Sequence, residues 1–177
     1  MLHYLRFLVV ACLFFGVPLK AHAQGTALTQ QSIESFYKDL VEAKIAGGTY
    51  LVSFHNKHYS DDLRLILSLR RTVEGNEMPK SFLDHDKATF IAAIKNNDKI
   101  IDHLSGDSKI VDVSIDDGGK SANVRVELLS NFTVQPDKMS SKRDGEEKMI
   151  CEDKLVLSDT GMIQIASSNC DVRVALK

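Results

Sequence analysis

The chain has 177 residues, 44% hydrophobic and 26% charged, with a formal net charge of -2, three cysteines and no tryptophan. That is the size of one ordinary domain, and the balance excludes the basic footprint that nucleic-acid binding requires. Basic residues are scattered, and the densest cluster, Lys142-Arg143, sits beside Asp144, Glu146 and Glu147.

The first element is an apolar run from Phe7 to Leu19 behind Arg6, followed by Ala21-His22-Ala23. This is the layout of a secretory signal cleaved after Ala23. Gly16 and Pro18 interrupt the run, which is shorter than the roughly 20 residues of a spanning helix. Val9-Val10-Ala11-Cys12 offers a second reading, lipidation at Cys12, but leaves almost no apolar core ahead of the cysteine. Residues 1–23 carry Arg6 and Lys20 and no acid, so the remaining domain, residues 24–177, stands at -4. The expectation is an exported protein, in the periplasm or outside the cell, with no membrane span after processing. Cys151 and Cys170 then remain, an even number in an oxidising compartment, which favours a disulfide over a metal pair or a catalytic thiol.

Residues 29–46 place Ile33, Phe36, Tyr37, Leu40, Val41 and Ile45 on one stripe at helical spacing. Thr29 is the expected N-cap and Gly47-Gly48 the stop. A second helix is expected over 49–58, capped by Thr49, with Leu51, Val52 and Phe54 inward. The period then becomes two. Leu63, Leu65, Leu67 and Leu69 alternate with other residues, so 63–73 reads as a strand with a leucine face. Glu74-Gly75-Asn76 is a turn, 80–84 a short strand, and 87–96 a third helix capped by Asp84 or Asp86. Residues 109–116 alternate through Val111, Val113 and Ile115. Asp116-Asp117-Gly118-Gly119 signals a hairpin, and Val124, Val126 and Leu128 face inward on the return.

Residues 135–148 read as a solvated polar loop. Two last strands, 148–157 and 162–174, flank Ser158-Asp159-Thr160-Gly161, a turn with Gly161 left-handed. Folding about that turn sets Cys151 opposite Cys170, within one residue of register and near the hairpin's open end. The fold class is therefore α+β: three helices from the N-terminal half on a curved, mainly antiparallel sheet of about six strands.

This order, over about 29–174, resembles the nuclear transport factor 2-like superfamily. The local likeness lies in FYKDLVEAKIAGGTYLVSFHNKHYSDDLRLIL: a first helix, a Gly break, a short second helix and an acidic pair before the first strand. A cystatin-like roll is the other candidate, with one main helix in place of three. The resemblance implies a cone whose sheet wraps a pocket, here expected from Tyr37, Phe54, His58, Tyr59, Leu65 and Leu67. The superfamily spans isomerases, dehydratases, cyclases and catalytically silent modules, so the fold does not choose among them. Against the steroid isomerase branch, Tyr37 falls at the oxyanion-hole Tyr and Asp153 close to its Asp. The base falls near Leu67, which cannot take a proton.

Tyr37, His58 and Asp153 are thus weak catalytic candidates. His55, His58, Asp61 and Asp62 form a spaced set that a metal site could use, but the pattern is weaker than a paired His with an intervening Glu, and no metal is assigned. No cofactor fingerprint is found. The expectation is a non-enzymatic binding module for a small apolar ligand or an envelope protein partner. A small isomerase-type enzyme and a structural subunit, dimeric through the sheet, are the alternatives.

Overall fold

The structure is a computed structural model that describes residues 26–97, 100–135 and 140–177. The segment 1–23, its cleavage point and Cys12 lie outside the described residues. Among the described residues three helices, α1 (Gln30–Ala46), α2 (Gly48–His58) and α3 (Lys87–Asn97), accompany seven strands. The strands are β1 (Tyr59–Val73), β2 (Asn76–Glu77), β3 (Ser81–His85), β4 (Ile101–Ile115), β5 (Ser121–Val134), β6 (Arg143–Leu157) and β7 (Ile163–Leu176). They form one curled sheet in the order β2-β1-β7-β6-β5-β4, with β3 also pairing β1. The helices pack against this mixed half-barrel as an α+β cone.

Helix α1 begins where the capping signal says. Thr29 accepts from the Ser32 amide at 3.1 Å, and the Ser32 hydroxyl closes the reciprocal bond to the Thr29 amide at 3.0 Å. Two orphan amides are satisfied in this way. The helix buries Ile33, Phe36, Tyr37, Leu40 and Ala43 on one stripe, each large apolar side chain contributing about 1.5–3 kcal/mol. Ile45, expected inward, is 40% exposed and borders the open space beside β4. Helix α2 starts at Gly48, earlier than Thr49, and has no side-chain cap. In α3, Asp86 is the cap, accepting from the Thr89 amide at 2.7 Å.

Four findings correct the expected sheet. First, β1 pairs in parallel with β7 over residues 64–73, a long-range closure that no local pattern encodes. Second, β4 runs from Ile101, well before residue 109, and carries bulges at His103/Ser105 and Ile110/Asp112. A bulge inserts one residue and reverses the facing of everything beyond it. Ile110 therefore packs on the core while Val111, expected inward, is 51% exposed. Third, residues 143–148 are strand and not loop, because ladder bonds to β5 and β7 on both sides hold this polar stretch extended. Fourth, Cys151 and Cys170 are direct cross-strand partners and form a disulfide, but midway along the lengthened hairpin. The turn after β6 is as expected: Gly161 has φ 75° and its amide donates to the Ser158 carbonyl at 2.8 Å.

Candidate functional site

Inward-facing residues line up in rows across the concave face. One row runs Val124, Asp153, Ser168, Leu65, and the next runs Val126, Cys151, Cys170, Leu67. Helix α1 lies over these rows and lowers Tyr37 onto Asp153. The Tyr37 hydroxyl donates to Asp153 Oδ2 at 2.6 Å, and the Ser168 hydroxyl donates to Asp153 Oδ1 at 2.5 Å. Ser168 Oγ also lies 3.1 Å from Cys170 Sγ. All three residues are buried, Tyr37 completely.

Burial governs the charge state of this trio. It pushes the Asp153 carboxyl from its ordinary 3.8 up to about 6, and the two donated hydrogen bonds oppose that rise only in part. Burial, followed by the repulsion of the Asp153 charge, holds the Tyr37 hydroxyl well above its ordinary value of 10.0. Tyr59, beside them in the core, is raised for the same two reasons. Both carboxyl oxygens have a donor and the tyrosine proton has an acceptor, so the network is closed on itself.

Of the pocket expected from sequence, Tyr37, Phe54, His58, Tyr59 and Leu65 are buried in the hydrophobic core, and Leu67 is half-buried against it. His58 sits among the aromatic rings of α1 and α2, its ring 5.5 Å from that of Phe36. Its ring stacks on Phe54 at 4.4 Å between centroids, and its Nδ1 donates to the Ile163 carbonyl at 2.8 Å. His55 is also turned inward, against Tyr59 and Phe90, with a buried Nδ1 that finds no hydrogen-bond partner. Burial, aided by the Lys44 and His58 charges, pushes its imidazole from 6.5 down to about 3. Asp61 points outward and pairs with Lys87 at 2.8 Å. The two histidines and Asp61 are therefore on opposite sides of the chain, and the spaced set is not one metal site. Cys151, Asp153 and Cys170 lie within 4.8 Å of one another. The two sulfurs are bonded to each other, which leaves no thiolate for a metal.

Sequence reasoning missed Ser168, a polar residue that the β6–β7 register sets beside Asp153. It also missed a second, partly buried polar group, Lys44 with Glu147 at 2.5 Å and Ser130 bonded to Glu147 at 3.0 Å. The open space lies elsewhere. A groove of about 750 Å³ runs along the outer flank of α1 and beside β4, from Gln30 to Ile45 and from Gly106 to Val113. Gly106 sets the closeness of the two elements: a Cβ there would meet Val41 Cγ1 at 3.1 Å and the Leu129 carbonyl oxygen at 3.1 Å. No helix among the described residues is long and apolar enough to cross a membrane.

Helices laid over a curled sheet, with a tyrosine from the first helix reaching a carboxyl on a late strand, define a cone-type α+β domain. The solved structures similar to it give that class its name. A conserved protein from Planctomyces limnophilus matches with a TM-score of 0.55 and 18% identity, over 79% of this chain and 92% of that one. A candidate scytalone dehydratase from Novosphingobium aromaticivorans matches at 0.53 and 12%, over 79% and 80%. A nuclear transport factor 2-like protein of unknown function from Prochlorococcus matches at 0.50 and 14%, over 81% and 93%. The chain has the nuclear transport factor 2-like fold. No protein-family model matches the sequence, and no curated protein matches it significantly.

Proposed function

We propose that the chain is exported, cut after Ala23, and acts in the periplasm as a non-enzymatic binding module for a protein partner. The observation that carries this reading is the closed network at the centre of the cone. A general acid or an oxyanion donor must point at a reacting atom. Here the Tyr37 proton points at Asp153, and Ser168 occupies the other carboxyl oxygen. No base stands at Leu67, and the large open groove lies outside the core. The core disulfide fits an oxidising compartment.

A small apolar ligand is the other occupant the fold allows, against the half-buried Leu67 and Leu69. Native mass spectrometry of protein isolated from its own envelope separates the two. The reading predicts a mass beginning at Gln24 and a protein partner but no retained small molecule. A stoichiometric small-molecule mass would replace the partner with a ligand, and a retained N-terminal segment would remove the export step.

The isomerase or dehydratase reading keeps one supporting observation, the Tyr37–Asp153 contact itself. It predicts that Tyr37→Phe abolishes enolisation of a ketone substrate. A Tyr37→Phe protein indistinguishable from the parent in such assays, but intact in partner binding, leaves the binding module standing.

A further inference from the structure

Among the described residues, strand β4 is one edge of the sheet, opposite the edge formed by β2 and β3. Among the described residues it pairs with β5 and with no other strand. The groove touches Gly106, Asp107 and Ser108, then Ile110 through Val113, in near-continuous succession. Successive strand residues point to opposite faces, so an opening that touches both sets faces the backbone edge. One outer-edge amide, that of Ser108, is satisfied by the Asp107 carboxylate at 2.8 Å. An edge of this length is a template for another strand.

The lining states the chemistry of that strand. Glu34 and Glu42 on α1 and Asp107 and Asp112 on β4 stand against one cation, Lys38. The groove thus has a formal charge of -3. Among the described residues none of these five forms an ion pair; Glu34 accepts only from Gln30 and Asp107 only from the Ser108 amide. Between the charges lie Val111 and Ile45, 51% and 40% exposed. The two bulges and the acids oppose pairing with a second copy of the same acidic edge, as edge strands commonly require. They do not oppose a basic one.

We propose that the α1–β4 groove binds an extended, lysine- or arginine-rich segment of a partner protein as an added strand, its apolar residues on Val111 and its cations on the four carboxylates. This inference rests on the binding-module reading and names its site and partner chemistry. Glu34 and Glu42 on α1 flank one face of such a strand, and Asp107 and Asp112 flank the other beside Val111, so cations on either face find a carboxylate.

The test uses residues 24–177 and two fluorescent nine-residue peptides, one alternating lysine with valine and one alternating glutamate with valine. The lysine peptide should bind at least tenfold tighter by anisotropy, weaken with added salt, and slow amide exchange at residues 106–113. Glu42→Lys combined with Asp112→Lys should lose at least tenfold in affinity, and Lys38→Glu should gain about threefold, both with unchanged circular dichroism. Equal binding of the two peptides, no binding, or protection away from β4 would overturn the proposal. So would concentration-dependent protection of 106–113 without peptide, accompanied by dimer in sedimentation, since the occupant would then be a second copy. These outcomes are independent of the enzyme question: a Tyr37-dependent turnover would sink the binding-module reading while leaving the peptide measurements as they stand.

Discussion

The centre of the cone and the groove along β4 hold similar residue types and end in opposite states. At the centre, a carboxylate, two hydroxyls and a disulfide are packed until every polar atom of the trio has a partner. In the groove, four carboxylates and an exposed valine face open space without ion pairs. The difference lies in what covers each. Helix α1 seats Tyr37 on Asp153, whereas nothing among the described residues pairs the far side of β4. Here the polar residues with complete partners hold the core together, and the surface carboxylates without ion pairs are left for an interaction.

The largest way to disturb the closed region is to remove its disulfide. Cys151 and Cys170 are 19 residues apart, and closing a loop of that size stabilises by about 3 kcal/mol in the chain-entropy model. Cys151→Ala with Cys170→Ala should lose about that amount in urea unfolding, and reductant should lower the parent's midpoint but not the variant's. Thiol counting on the unreduced protein should find no free cysteine.

The next effect is a pH dependence with two opposing parts. The folded Asp153 carboxyl at about 6 lies above its ordinary 3.8. Between those values the folded chain holds a proton that the unfolded chain has lost, so the group's contribution is full below about pH 4 and falls as pH rises through 6. His55 runs the other way. Its imidazole, pushed down from 6.5 to about 3, contributes fully above about 6.5 and loses that contribution as pH drops toward 3. Relative to Asp153→Asn, the parent should lose roughly 2–3 kcal/mol between pH 4 and 7, the free energy that corresponds to raising the carboxyl this far. His55→Phe should flatten the acid side instead. Parallel stability curves for the parent and both variants would mean that neither group is sealed from water.

Tyr37→Phe tests the trio alone. It strips one donor from a buried carboxyl and should cost about 1–3 kcal/mol, measured by denaturant unfolding at pH 7. In the groove, Val111→Thr should stay within about 0.5 kcal/mol of the parent, as exposed positions do. A cost as large as that of Tyr37→Phe would show the groove to be part of the core.

Much of the closed region is legible in the sequence. The α1 stripe, the alternating leucines of β1, and the Gly161 turn that aligns Cys151 with Cys170 are local patterns, and each describes one element. What is not legible depends on pairing. The parallel β1–β7 contact joins segments about a hundred residues apart. Ser168 reads as one serine among several until the register sets it beside Asp153. The run 143–148 is polar enough for a loop and becomes strand because its neighbours supply the ladder. Alternation alone places Val111 inward, and one bulge turns it outward. The groove is invisible in the sequence for the same reason: its acids come from two elements, and only the packing of α1 on Gly106 brings them together.

The central claim is that binding belongs to the groove and that the trio is sealed. Amide chemical-shift mapping with two ligands, the lysine–valine peptide and naphthol as a planar phenol, tests it most directly. The peptide should move resonances of residues 106–113, and naphthol should leave Tyr37, Asp153 and Ser168 unmoved. Saturable naphthol shifts at those three residues, with no response of β4 to the peptide, would contradict it.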